Sequence, residues 1–190
     1  MKARVVVNFL TFQIAWFACV LGAAYGVPLV GTATVIAAAA LHLALSSAPR
    51  NEFALLAVVT LIGAVWDSAI VAQGLMTYPH GTFAAGLAPH WIIAMWTLFA
   101  TTLNVSMAWL KGRPLVASLL GAVGGPLAYF AGYRLGAVEM SDPMLALALQ
   151  AAGWAVLMPL LALLAARLDG VTPAPAAVSA NYDSEVTRRV

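Results

Sequence analysis

Between Arg4 and Arg50 the chain has no aspartate, glutamate, lysine or arginine. The scarcity runs on towards the C-terminus: 8% of the 190 residues are charged and 63% are hydrophobic. A soluble domain carries about 25% charged residues. So little charge cannot clothe a globule in water, and the solvent that fits is a bilayer. A helix that crosses the hydrocarbon needs about 20 mostly apolar residues. The stretches 5–25, 28–45, 53–74, 91–110, 114–133 and 144–166 meet that need. The expected fold class is therefore an all-α integral membrane protein with six transmembrane helices in one bundle. Its membrane domain spans residues 1–167, and residues 168–190, rich in Pro, Ala, Ser and charge, read as a disordered cytoplasmic tail.

Basic residues set the orientation, because lysine and arginine collect on the cytoplasmic side. With six alternating helices, Lys2, Arg4, Arg50, Lys111, Arg113, Arg167, Arg188 and Arg189 share one side, and Arg134 alone faces the other. Both termini are then expected in the cytoplasm. A signal-peptide reading of "MKAR" and its apolar run is the rival, but the run is long and holds Asn8, Gln13 and Trp16. "GVPLVGTATVIAAA" and "GRPLVASLLGAVGG" open the second helix of each half, a faint sign of an inverted repeat.

Polar residues inside apolar spans are the site candidates, since lipid penalises them unless they face the protein interior. Asp67 lies 14 residues into the third span, at a depth of about 21 Å by helical rise. His90 and Arg134 sit at the same outer level, so Asp67, His90 and Arg134 form an expected outer cluster, with an Asp67–Arg134 ion pair. Asn8, Gln13, His42, Glu52 and Asn104 form an expected inner cluster. Each group reads first as structural glue between helices and second as a site. Trp91 and Trp109 fit an interfacial belt, and the deeper tryptophans fit core packing. In "GGPLAYFAGYRLGA" and the residues before it, Gly121, Gly125, Gly132 and Gly136 trace a narrow stripe that invites close helix packing.

The remaining signals exclude classes. Cys19 is the only cysteine, and no spacing suits a metal site. No nucleotide or cofactor fingerprint and no familiar hydrolase motif is present. Scattered basic residues at a net charge of +2 give no nucleic-acid surface. The expected partners are membrane lipid and a membrane-associated protein, and oligomeric state stays open.

Three blocks, "NFLTFQIAWFACV", "PHWIIAMWTLFATTLNVSMAWL" and "GAVGGPLAYFAGYRLGA", occur in an order and spacing that resembles a family of small bacterial inner-membrane proteins, the domain-of-unknown-function family 2878. The resemblance carries no catalytic residue with it. It implies a bacterial inner-membrane location and, since family members are often encoded near cyclopropane-fatty-acid-synthase-like methyltransferases and flavin-dependent amine-oxidase-like proteins, a supporting part in lipid modification or envelope stress adaptation. A small-solute transporter using Asp67 and a membrane-embedded enzyme are the alternatives.

Overall fold

The computed structural model describes residues 2–172. Their helices are α1 (Lys2–Ala24), α2 (Pro28–Ala44), α3 (Pro49–Ala72), α4 (His90–Leu103), α5 (Pro114–Arg134) and α6 (Pro143–Arg167). Proline opens α2, α3, α5 and α6, where its missing N–H is harmless and its fixed φ suits the first turn. Four helices, α1, α3, α5 and α6, are long and apolar enough to cross a membrane. The other two are apolar but shorter, with 17 residues in α2 and 14 in α4.

The short α4 corrects the expected span 91–110. The hydroxyls of Thr101 and Thr102 bond back to the carbonyls of Leu98 and Phe99 at 2.7 and 2.6 Å. Asn104 caps the helix and turns its side chain to Glu52. The chain then turns before a single 3-10 turn at Ala108–Leu110. Local polar bonds of this kind compete with the helix ladder.

At the opposite end, strands β1 (Met76–Thr77) and β2 (Glu139–Met140) pair antiparallel, Met76 opposite Met140. Ser141 Oγ donates to the Gly74 carbonyl at 2.8 Å. This clip ties the α3–α4 connection to the α5–α6 connection, both of which read as plain loops in the sequence.

An apolar core coexists with an equally apolar surface. Alanines at helix contacts, Ala15, Ala100, Ala117, Ala146 and Ala165, are fully buried beside large side chains such as Trp91, Leu55 and Leu98, while Ile14, Leu29, Leu61, Val65 and Leu115 point outward. Small residues let helices approach closely. So extensive an exposed apolar surface, with four helices long enough to span, fits a membrane protein. Helix α4 lies against α1, α2 and α3, and α5 pairs along its length with α6. The first five residues of the expected tail are held rather than loose: Gly170 and Ala48 share a bond of 2.8 Å, for example. The rest of that tail, residues 173–190, lies outside the described residues.

The glycine stripe divides in two. A Cβ on Gly121 would collide with the Trp154 carbonyl, and one on Gly125 with the Trp154 ring. Both therefore serve the α5–α6 contact. Gly132 meets only Val138, at an ordinary 3.6 Å. Gly136 lies beyond the helix with φ +82°, and Ala137 N closes the turn onto the Gly132 carbonyl at 2.9 Å. Its expected helix-packing part is thus replaced by a turn that needs the left-handed conformation. Gly124, one step from the stripe, faces open space.

Gly121→Val should destabilise the protein by about 1–3 kcal/mol through overpacking, whereas Gly124→Ala should not. Thermal unfolding in detergent checks this: a fall in midpoint for the first variant only is expected.

Candidate functional site

Asp67 on α3 is 1% exposed. Its Oδ2 accepts the Trp96 indole N–H at 2.6 Å, and its Oδ1 accepts the Tyr129 hydroxyl at 2.6 Å. Gln150 Nε2 adds a longer bond of 3.4 Å to Oδ1. These donors come from α4, α5 and α6. Gln150 is itself fully buried, and its carbonyl accepts the Trp66 indole N–H at 3.0 Å. The indoles are seated on glycines: a Cβ on Gly63 would enter the Trp96 ring, and one on Gly153 the Trp66 ring. Trp96 also stacks on Trp154, centroids 4.8 Å apart.

Beside this node lies a cavity of about 430 Å³. Helix α1 contributes Phe12 and Trp16, α4 contributes Trp96 and Phe99, and α5 contributes Gly124 and Tyr129. Its volume falls in the range of about 300–1,000 Å³ usual for small-molecule sites. Cavity-lining Leu127 on α5 is also 59% exposed. Tyr78, from the loop after β1, also lines it. Burial, then the nearby Asp67 charge, pushes the Tyr78 hydroxyl well above its ordinary pKa, so it stays protonated.

A second node occupies the other end. Glu52 is fully buried. His42 Nε2 lies 2.7 Å from Oε2, and Oε1 accepts from Asn104 Nδ2 at 2.6 Å and from the Gly170 backbone N–H at 2.7 Å. This joins α2, α3, the end of α4 and the segment after α6. A Cβ on Gly170 would collide with the Ala48 carbonyl, so glycine is required there. Next to it, Lys111 Nζ holds Asp169 Oδ2 at 2.8 Å, and the N–H groups of Val171 and Thr172 reach Asp169 Oδ1 at 2.9 and 2.8 Å. Partial burial opposes the Asp169 charge, but Lys111 and the two amides outweigh it and draw the pKa down to about 2.

The structure thus brings His42, Glu52 and Asn104 together. Asn8 sits apart, donating to the Thr101 carbonyl at 3.1 Å and accepting from Ser106 Oγ at 2.8 Å. Gln13 lines the cavity instead. The outer cluster does not form as expected. Arg134 is exposed and stacks over the Phe130 ring at 5.9 Å, and Asp67 and Arg134 share no ion pair among the described residues. The helix end carries Arg134 out to polar surroundings, and neutral donors take its expected place at Asp67. His90 Nδ1 pairs with Thr32 Oγ1 at 2.7 Å, which links α4 to α2. Trp91 is also buried, its indole N–H bonded to the His80 carbonyl at 3.1 Å, rather than facing an interface. Sequence reasoning missed Gln150, Tyr129 and Gly170. Gln150 did carry a signal, as the lone amide in the apolar sixth span.

The model of the family described as Protein of unknown function (DUF2878) matches residues 5–160. The chain belongs to this family. No curated protein and no solved structure matches it. Both buried carboxylates and the cavity-lining part of α5 fall within the stretch that the DUF2878 family model covers.

Glu52→Ala strands His42, Asn104 and the Gly170 amide. It should cost about 3 kcal/mol or more, seen as a large fall in thermal midpoint. The Asp169 clasp has a depressed pKa, so its contribution is complete above the ordinary carboxyl value of 3.8 and is lost as pH falls towards about 2. A nitroxide attached through Val171→Cys should be immobile at pH 7 and loosen only over that acidic window. Adding Asp169→Asn should loosen it already at pH 7.

Proposed function

We propose that this protein is a six-span protein of the bacterial inner membrane, both termini cytoplasmic, that holds the hydrocarbon chain of an amphiphile in the cavity between α1 and α5. The carrying observation is the cavity itself, about 430 Å³, lined almost wholly by apolar and aromatic side chains. Its apolar lining, with Leu120 and Leu127 of α5 also exposed at the surface, suits a ligand that arrives from within the bilayer rather than from water. Holding a chain in this way is the act expected of an auxiliary to membrane-lipid modification. The topology is supported by the bonds that gather the basic residues at one end: Arg4 Nη2 reaches the Leu45 carbonyl at 3.0 Å, and Lys111 reaches Asp169.

A transporter is the second reading. Asp67 favours it, because a buried carboxylate one side chain away from a cavity is a familiar coupling device. Solute flux in proteoliposomes that vanishes in Asp67→Asn would support that reading, and absence of flux in the wild type would remove it.

The test of the cavity uses Gly124, which faces open space on the cavity wall. A neutral brominated fatty alcohol, added to the protein in nonionic detergent, should quench the fluorescence of the cavity-lining tryptophans. Gly124→Leu fills the space without touching the α5–α6 contact. It should abolish most of the saturable quenching at an unchanged thermal midpoint. Quenching equal to that of the wild type would sink the proposal.

A further inference from the structure

The wall of the cavity has a charge property that its apolar lining conceals. Two of the three donors to Asp67 cannot be anything else. The Trp96 indole only donates. Gln150 is oriented by Trp66: its carbonyl must accept that indole N–H, which leaves its NH₂ to face Asp67. The shell is therefore built for a carboxylate anion. Hydrogen bonds solvate that charge without cancelling it. No lysine, arginine or histidine lies within ion-pair distance of Asp67 among the described residues. An uncompensated negative charge in apolar surroundings attracts a cation far more strongly than it would in water.

Two of the donors, Trp96 and Tyr129, also line the cavity. A ring that donates a hydrogen bond to an anion gains electron density, which makes its face a better host for a cation. Trp and Tyr faces are already the preferred hosts for quaternary ammonium groups. Trp96 is extended by its stack on Trp154, and Tyr78 adds another phenol to the lining. Asp67 and Tyr129 each lie five residues before the outer ends of α3 and α5, about 7.5 Å by helical rise. From that level the cavity continues past Phe12 towards Met107, beyond the C-terminal end of α4.

Building on the cavity reading above, we propose that the ligand is an amphiphilic organic cation: a hydrocarbon chain bearing an ammonium group, with the cation against the Trp96–Tyr129 wall that Asp67 backs. The chain fills the apolar depth, and the head is matched by charge. A neutral amphiphile of the same shape gains the apolar drive alone, and an anionic one is repelled.

Displacement of the brominated alcohol tests this. The competitors are an alkyltrimethylammonium, its neutral isostere with carbon in place of nitrogen, and an alkyl sulfate of equal length. The cation should compete about tenfold better than the isostere, with the sulfate weakest. Asp67→Asn should bring cation and isostere within about twofold of each other. Equal competition in the wild type, or a preference that survives in Asp67→Asn, overturns the inference while leaving the cavity reading intact. Failure of the alcohol itself to quench overturns both. If Asp67→Asn does not fold, Tyr129→Ala removes a ring that faces the cation, and an unchanged preference in that variant is equally fatal. Mass spectrometry of protein purified from membranes separates the sources. A co-purifying aminolipid marks a resident lipid, and empty protein that takes up the added cation marks a compound arriving from outside.

Discussion

A carboxylate buried in apolar surroundings has to be solvated by the protein that buries it, and Asp67 shows what that demands. Its partners come from three other helices. Helices α5 and α6 pair closely with each other and touch the remaining helices more sparingly. The Asp67 shell, with the β1–β2 clip above it, is where that pair is joined to α3 and α4. Within lipid, apolar contact between helices carries little drive of its own, because lipid tails are as apolar as leucine. Specific polar bonds and close packing hold such helices together instead.

Close packing here is a matter of seating indoles on glycines. Trp96 rests on Gly63, Trp66 on Gly153 and Trp154 on Gly125. Each large ring finds room only because the opposite helix lacks a Cβ, and each is thereby aimed. Trp96 and Trp66 point their N–H groups at Asp67 and Gln150. Two of these rings, Trp96 and Trp154, also line the cavity, so it adjoins the packing that builds the Asp67 node. At the other end, Glu52 does for α2, α4 and the segment after α6 what Asp67 does for α4, α5 and α6.

Helical class and most helix positions were legible, because charge scarcity and proline placement are local features. Asp67 and Glu52 were legible as important, since a carboxylate in an apolar run must be accommodated. The partners were read less well. Charge logic suggested Arg134 for Asp67, yet the last turn of α5 takes that side chain outward, and neutral indole, phenol and amide donors do the work. Helix end points near Asn104 depended on a bond to Glu52, 52 positions away in sequence. Gly136 shared the spacing of the packing stripe but belonged to the turn, a distinction made by its φ and not by its spacing. Gly170 sits in a stretch whose composition resembles disorder, and only its contact with Glu52 and Ala48 reveals a fixed place.

The central claim is that Asp67 is an anion solvated by neutral donors at the wall of an apolar cavity. Infrared difference spectroscopy of the wild type against Asp67→Asn, reconstituted at neutral pH, addresses that charge state directly. The account predicts that the variant loses intensity in the carboxylate stretching region. Loss of a protonated carboxyl C=O band, with the carboxylate region unchanged, would contradict it.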